Sequence, residues 1–219
     1  MKYFVTATDT GVGKTYVTAS LIKLYMSMGY KVKAVKPIET GCAKKGKNLI
    51  PEDASLYASL TGQSLDEVCP YKFATPVSPY TASKLEKIEI DIDKIKTHVD
   101  AVYEDLIKNY NDRSMLFIEG AGGLIVPVTK NFMMIDFPLL INAPVILVSR
   151  LSLGTINHTL LSIEALERRN IPIKGIILNN ALGLNTIAEK TNESILKEFI
   201  KVPILSILQR DEQISKINL

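Results

Sequence analysis

The chain contains no tryptophan, only two cysteines and only two histidines among its 219 residues. Cys42 and Cys69 form no C-x-x-C pair, and His98 and His158 lie far apart, so we expect no structural zinc site. We interpret both cysteines as structural or incidental, and His158 as a structural histidine on a helix. No apolar run approaches about 18 residues, and no signal peptide is visible, so we expect a cytoplasmic protein with no membrane partner.

Charge of either sign is also not concentrated in one part of the chain. The net charge is +3, from 26 basic and 23 acidic residues. The densest basic run, Lys44-Lys45-Gly46-Lys47, is short and lacks interleaved aromatic residues, so we expect no nucleic-acid partner. The hydrophobic fraction of 47% is typical of a globular protein, and the length favours a single domain over residues 1–219.

Strand and helix patterns alternate along most of the chain. Short apolar runs predict six strands, at 3–7, 31–36, 115–119, 145–149, 173–178 and 204–208. Apolar spacings of three and four predict helices at 14–28, 92–108, 155–169 and 187–200. Strands this apolar indicate an α/β fold with a mostly parallel sheet and helices on both faces. Residues 37–90 are the least regular stretch, which is typical of substrate-binding regions or of simple surface packing.

Polar or glycine-rich residues follow five of the predicted strands. Ligands of such sheets bind beyond the carboxyl ends of the strands, so these residues are candidates for one shared site. They are residues 7–15, 36–41, 119–123, 149–150 and 179–180.

The loop after the first strand, Ala7-Thr8-Asp9-Thr10-Gly11-Val12-Gly13-Lys14-Thr15, predicts a phosphate-binding site. Inward backbone N–H groups and the start of a helix attract anions, and the glycines allow a phosphate to approach closely. Lys14 would place its charge on the β- and γ-phosphates, and the Thr15 hydroxyl suits Mg²⁺. Thr8 stands where the strict motif has its first glycine, so the prediction depends on the order of strand, glycine loop, Gly-Lys-Thr and helix.

Three further residues allow two interpretations each. Glu119 ends an apolar strand, as acidic Mg²⁺ ligands often do, and the alternative is a surface carboxylate. Asp53, taken alone, is better explained as a helix N-cap than as a ligand. For Lys36, a strand-end lysine without a function is an equal alternative.

Taken together, these residues closely resemble the dethiobiotin synthetase family over nearly the whole chain. The motifs that carry the resemblance are residues 4–15, Lys36-Pro37 with Thr40-Gly41, Asp53-Ala54, Ser78-Pro79, residues 119–123, Leu153-Gly154 with Asn157-His158, and Asn179. The resemblance implies a P-loop NTPase-type fold. It also implies an ATP-dependent cyclo-ligase of biotin biosynthesis that uses Mg²⁺ and forms dethiobiotin, ADP and phosphate from 7,8-diaminopelargonic acid, CO₂ and ATP. The expected intermediates are an N-carbamate and a carbamic–phosphoric anhydride.

The resemblance also implies roles for matching residues. Lys14 and Lys36 would be catalytic, and Thr15, Asp53 and Glu119 would bind Mg²⁺. The nucleotide would contact Gly11, Val12, Gly13, Lys14, Thr15, Tyr16, Asp53, Glu119, Gly120, Ala121, Gly122, Asn179 and Asn180. The diamine would contact Thr10, Thr40 and, across a homodimer interface, Leu153, Gly154 and Asn157 of the second subunit. Replacing Lys36 with alanine is expected to preserve the fold and abolish turnover.

The chain departs from the family pattern at several positions. Ala7 replaces a glycine, Gly11 replaces a glutamate, Thr40 replaces a serine, and Tyr80 stands where histidine is frequent. The C-terminal stretch 205–219 is short for the family, so the base preference stays open and another nucleoside triphosphate is an alternative to ATP.

Two rival classes share a similar opening motif. Amide-forming enzymes of the cobyrinic acid type carry a further glutamine-hydrolysing domain, for which this chain has no room. ATPase switches of the ParA or MinD type carry a signature lysine where this chain has Asp9. We therefore favour the synthetase interpretation over both.

Overall fold

The computed structural model describes residues 1–46, 48–217 and 219. Lys47 of the short basic run and Asn218 of the C-terminal stretch lie outside the described residues. The main sheet contains six strands, all parallel, in the order β10-β9-β8-β1-β7-β2. These strands are β1 (Lys2–Ala7), β2 (Lys31–Val35), β7 (Ser114–Glu119), β8 (Val145–Arg150), β9 (Ile173–Asn179) and β10 (Ile204–Leu208). The predicted α/β fold with a mostly parallel sheet is confirmed.

Helices cover both faces of this sheet, as the apolar strands predicted. The helices are α1 (Lys14–Ser27), α2 (Glu52–Thr61), α3 (Leu65–Val68), α4 (Pro79–Glu86), α5 (Ile92–Tyr110), α6 (Phe137–Leu140), α7 (Thr155–Glu167) and α8 (Ile187–Phe199). Successive strand residues point to opposite faces. Val5 and Phe117 accordingly pack in the core with α1 and α2, whereas Phe4 and Ile118 pack in the core with α5, α7 and α8.

The predicted bounds of the main strands and long helices agree with the structure to within two residues. The second strand is one residue shorter than expected, because it ends at Val35 and leaves Lys36 just beyond it. Helix α1 ends at Ser27, and Gly29 follows with a positive φ of 82°, as expected after a helix C-terminus. Because the strands of the main sheet are parallel, the polar residues at their carboxyl ends lie at one rim of the sheet.

Residues 37–90 contain more regular structure than the sequence indicated. Besides α2, α3 and α4, this stretch contains β3 (Ile38–Thr40), β4 (Ala43–Lys45), β5 (Asn48–Ile50) and β6 (Tyr71–Phe73). Strand β3 pairs in parallel with β6, and β4 pairs antiparallel with β5. Each of these strands has three residues, and β3 finds its partner about thirty positions away, so a local sequence pattern could not reveal the pairing.

Within the described ranges, no helix combines the length and the apolar character that crossing a lipid bilayer requires.

Candidate active site

The carboxyl ends of β1, β2 and β7 surround a cavity of about 360 Å³. Strand exits and the stretch 37–90 both contribute to its lining, which includes several residues expected from the sequence. The lining residues are Thr10, Gly11, Gly13, Lys14, Thr15, Lys36, Glu39, Thr40, Asp53, Ala121 and Gly122. The structure thus gathers at one rim most of the residues expected at the phosphates and at the reacting groups.

The glycine loop between β1 and α1 has the backbone shape of an anion-binding nest. Gly13 is the N-cap of α1 with φ of 96°, a conformation that L-residues with a side chain rarely adopt. A Cβ atom at Gly13 would also collide with the amide of Asn179. That amide donates to the Val12 carbonyl at 2.8 Å, and Arg150 donates to the Gly11 carbonyl at 3.0 Å. The ends of β8 and β9 therefore support the loop from behind.

Lys14 is buried beside the loop, with its side-chain nitrogen 3.4 Å from the Asp9 carbonyl oxygen. The pKa of Lys14 is lowered overall, because burial outweighs the charge of Glu119, which raises it. An anionic phosphate in the cavity would favour the charged ammonium further.

Glu119 lies at the end of β7 and is 1% exposed, so the alternative of a surface carboxylate is wrong. Its Oε2 atom accepts hydrogen bonds from the hydroxyls of Thr18, at 2.6 Å, and Tyr57. Its Oε1 atom lies 3.3 Å from the Thr15 hydroxyl and 2.6 Å from the Lys36 ammonium. The carboxylate therefore has one oxygen held by helix hydroxyls and one oxygen directed at Lys36 and the loop.

Lys36 lies between two carboxylates, because its ammonium contacts Asp53 as well as Glu119. Burial alone lowers the pKa of Lys36, but the charges of Glu119 and Asp53 raise it above its ordinary value. The lysine therefore keeps a positive charge at the edge of the phosphate loop. Lys36 lies just beyond a strand end, as the alternative interpretation also requires, and its catalytic role stays a prediction.

Asp53 is not the N-cap of its helix, so that alternative is also wrong. The N-cap of α2 is Pro51, and Asp53 is the second residue of the helix. The carboxylate of Glu39 accepts hydrogen bonds from the backbone N–H groups of Asp53, at 3.1 Å, and Ala54, at 3.0 Å. The pKa of Glu39 is raised overall, because burial outweighs the charge of Lys36, which lowers it. The Asp53 side chain is left to face Lys36.

A second cavity of about 400 Å³ adjoins the first and shares Thr10, Thr40, Ala121 and Gly122 with it. Its remaining lining is mostly apolar and comes from Pro76, Val77, Ser78, Pro79 and Val126. Thr10 and Thr40 thus stand where a polar, charged cavity meets a more apolar one.

Several expected contact residues lie outside these two cavities. The Tyr16 hydroxyl donates to the Glu212 carbonyl, and Asn180 donates to the Gln209 side chain at 2.8 Å. Gly120 packs against Phe4 and Met134. Leu153, which is 90% exposed, Gly154 and Asn157 lie at the start of α7. Val12, Glu119 and Asn179 also line neither cavity.

His158 and the two cysteines line neither of these two cavities. His158 is exposed and lines a separate cavity of about 100 Å³ with Asp9 and Arg150, and its interpretation as a structural histidine stays a prediction. Cys42 and Cys69 are buried and unpaired with each other. Burial raises the pKa of the Cys42 thiol to about 11 and also raises that of Cys69, so neither has the character of a nucleophile.

A glycine loop that opens a helix, a lysine at the start of that helix and an acidic residue at the end of β7 define a phosphate-loop nucleotide-binding protein with an α/β fold. A solved structure of the same fold is the ParA family ATPase from Chlorobium tepidum. It matches with a TM-score of 0.56 and 16% identity, over 96% of this chain and 85% of that one. The AAA_26 family model, described as an AAA domain, matches residues 1–218.

The family follows from two curated relatives. The ATP-dependent dethiobiotin synthetase BioD of Thermodesulfovibrio yellowstonii is 43% identical, over 98% of this chain and 90% of the relative. The ATP-dependent dethiobiotin synthetase BioD of Aquifex aeolicus is 38% identical, over 90% of this chain and 84% of the relative. The chain belongs to the dethiobiotin synthetase family and is an enzyme of that family.

Sequence reasoning assigned no role to three side chains that contact the central residues. Thr18 and Tyr57 bind Glu119, and Glu39 binds the start of α2. Tyr57 follows Asp53 by four positions, so the two share one face of α2. That spacing was visible in the sequence, but the partner on β7 was not.

The hydroxyl of Tyr57 should contribute measurably to stability. The Tyr57 side chain is fully buried, and Tyr57→Phe removes a hydroxyl that contacts the Glu119 carboxylate and lies 3.5 Å from the Thr15 carbonyl oxygen. A hydrogen bond to a charged group contributes about 1.5–3 kcal/mol, so we expect a loss of that order in the free energy of unfolding. Urea denaturation measures it, with Tyr110→Phe as the control because Tyr110 is 46% exposed. Equal stability of the two variants would contradict the assignment of this hydrogen bond.

Proposed function

We propose that this enzyme converts 7,8-diaminopelargonic acid, CO₂ and ATP into dethiobiotin, ADP and phosphate in a Mg²⁺-dependent reaction of biotin biosynthesis. The observation that carries the proposal is the position of Lys36. Its ammonium lies beside the glycine loop, bound to Glu119 and Asp53, in a cavity that Thr40 also lines. The names of the curated relatives support the same reaction.

The donor set around Lys36 fits Mg²⁺. The Thr15 hydroxyl and the Glu119 and Asp53 carboxylates offer only oxygen, which Mg²⁺ prefers. Thr15 and Asp53 line the cavity, and the Glu119 Oε1 atom lies 3.3 Å from the Thr15 hydroxyl. In the part of the chain that the structure describes, no three His, Cys, Asp or Glu residues gather as a metal site. Two carboxylates suit an ion that keeps waters and phosphate oxygens as its other ligands. When bound, Mg²⁺ would neutralise charge on the triphosphate.

The reaction brings two anions together, which is unfavourable unless their charges are offset. One amine of the substrate attacks CO₂ and loses a proton to give a carbamate. A carbamate oxygen then attacks the γ-phosphate of ATP, and ADP leaves. Lys14 would hold the phosphates and Lys36 the carbamate and the transferring phosphoryl group, so that their charges reduce the repulsion.

Ring closure follows within the same cavity. The second amine attacks the carbonyl carbon of the carbamic–phosphoric anhydride, the C–O bond to phosphate breaks, and the amine loses its proton. Thr10 and Thr40 stand at the junction of the two cavities, where their hydroxyls would orient the diamine. The apolar lining from Pro76, Val77 and Val126 suits the alkyl chain of the substrate.

Phosphate release from MgATP tests the proposed function. We expect release that requires both bicarbonate and 7,8-diaminopelargonic acid, with an organic product whose mass matches dethiobiotin. Assays with DNA or lipid vesicles in place of the diamine serve as controls for an ATPase switch. Diamine-independent hydrolysis would reject the proposal, and repeating the assay with other nucleoside triphosphates gives the base preference.

Lys36 provides a second test. The sequence predicted that Lys36→Ala preserves the fold, but the structure changes that expectation. Removing the cation from a buried ion pair lowers the free energy of unfolding by about 3–5 kcal/mol, so we expect this variant to be strongly destabilised. Lys36→Arg keeps the charge but changes its shape and reach, so we expect a folded protein with turnover reduced about 100-fold. Lys33→Arg is the matched control, since Lys33, in β2, also pairs with two carboxylates, those of Glu67 and Asp105. Parental turnover in Lys36→Arg would remove Lys36 from the phosphoryl transfer.

We also propose a homodimer in which the start of α7 completes the site of the second subunit. Gly154 is the N-cap of α7 and offers no side chain to its first N–H groups, which suits the carboxylate of the substrate. The preceding Leu153 is an exposed apolar side chain of the kind that a partner surface covers.

Leu153→Glu should weaken this dimer, because the interface would bury a carboxylate without a partner. We expect sedimentation to show monomers and the KM for the diamine to rise. Met28→Glu is the control, because Met28 is half exposed and caps the end of α1 opposite to the glycine loop. A Leu153→Glu variant that remains dimeric with an unchanged KM would contradict the proposed interface.

A further inference from the structure

Glu39 is a buried carboxylate at the edge of the site cavity. It lies in β3, is 6% exposed, and is separated from Asp53 by 14 positions in the sequence. Its two oxygens accept hydrogen bonds from consecutive backbone N–H groups, with Oε1 3.1 Å from the Asp53 nitrogen and Oε2 3.0 Å from the Ala54 nitrogen. Such a bidentate arrangement fixes the direction as well as the distance of the helix start.

The start of α2 needs such a partner. The first N–H groups of a helix have no acceptor within the helix, and a side chain at the N-cap usually supplies one. Here the N-cap is Pro51, which has no acceptor in its side chain. Glu39 supplies the acceptors from another strand, and its negative charge also complements the positive end of the helix dipole.

This arrangement has a consequence for Asp53. An aspartate near a helix start often turns back to bond the helix's own N–H groups. Because Glu39 occupies those groups, the Asp53 carboxylate points instead to the ammonium of Lys36. Thr40, the next residue after Glu39 on β3, faces the same cavity, so one strand contacts both the diamine side and the metal side of the site.

We propose that Glu39 is a positioning residue, which holds Asp53 at the Mg²⁺ and phosphate end of the cavity by capping α2 from outside the helix. The proposal rests on the proposed function through the role of Asp53. Each Glu39 oxygen already accepts a backbone N–H, so the geometry favours action through the helix over direct contact with the substrate.

Glu39→Gln tests the cap with little change in volume. Glutamine has one acceptor oxygen, and its NH₂ group would face a backbone N–H, so one hydrogen bond is lost and two donors oppose each other. Amide hydrogen exchange of the protein without metal should therefore speed up at residues 53 and 54. Unchanged exchange at both amides would overturn the capping role.

Mn²⁺ binding in the presence of ADP, followed by electron paramagnetic resonance, tests the link to Asp53. Loss of a residue that orients a metal ligand typically weakens metal binding about 10–100-fold, and we expect about tenfold for Glu39→Gln. If Glu39 acts through Asp53, the double variant with Asp53→Asn should bind Mn²⁺ no more weakly than Asp53→Asn alone. Additive losses, or parental Mn²⁺ affinity in Glu39→Gln, would overturn the proposal.

Glu189→Gln is the matched control. Glu189 is 8% exposed and accepts hydrogen bonds from two backbone N–H groups, of Leu184 at 3.2 Å and Thr186 at 3.3 Å, at the start of α8. Its loss should destabilise the protein without changing Mn²⁺ affinity. A loss of affinity equal to that of Glu39→Gln would show a general effect of stability and overturn the proposal.

A second variant and the choice of Mn²⁺ binding as the measurement separate the role of Glu39 from the proposed function. If Glu39→Gln does not fold, Glu39→Asp carries the same cycle, because it keeps the charge but is too short to reach both N–H groups. Mn²⁺ binding with ADP needs no diamine, so failure to form dethiobiotin would remove the proposed function and leave the capping test valid. Dethiobiotin formation with an unchanged Mn²⁺ affinity in the variant would remove only the role of Glu39.

Discussion

A fully buried carboxylate must find a cation and hydrogen-bond donors, because an isolated charge inside a protein is very unfavourable. Glu119 meets this requirement with the ammonium of Lys36 and the hydroxyls of Thr15, Thr18 and Tyr57. These partners come from the end of β2, from α1 and from α2. Compensating one charge therefore brings three separate elements to the end of β7, and the geometry of the site depends on it.

The parallel sheet provides the surface on which this can happen. All six strands run in one direction, so their polar exits share one rim. Helices α1 and α2 pack on the same face of the sheet, which lets α1 carry the phosphate-loop residues Lys14 and Thr15 beside the Asp53 of α2. The Glu39 cap extends the same principle, since a second buried carboxylate is satisfied by the backbone of α2.

The fold by itself does not select the chemistry. A ParA family ATPase has the same fold at 16% sequence identity, so the fold is compatible with more than one activity. The site of this chain combines Lys36, which lies between two carboxylates, with a second, more apolar cavity beside Thr40. The family membership rests on relatives that are 43% and 38% identical, and not merely on the shared sheet.

The sequence alone determined the main strands, the long helices and the glycine loop with Lys14, because apolar periodicity and a loop motif are local properties. Only the tertiary structure decided the organisation of residues 37–90, where the three-residue strand β3 pairs with the distant strand β6. It also decided that Asp53 faces Lys36 instead of capping α2, and that Glu39 takes over the cap. These outcomes depend on which buried groups satisfy one another across the fold, and spacing along one chain does not encode that.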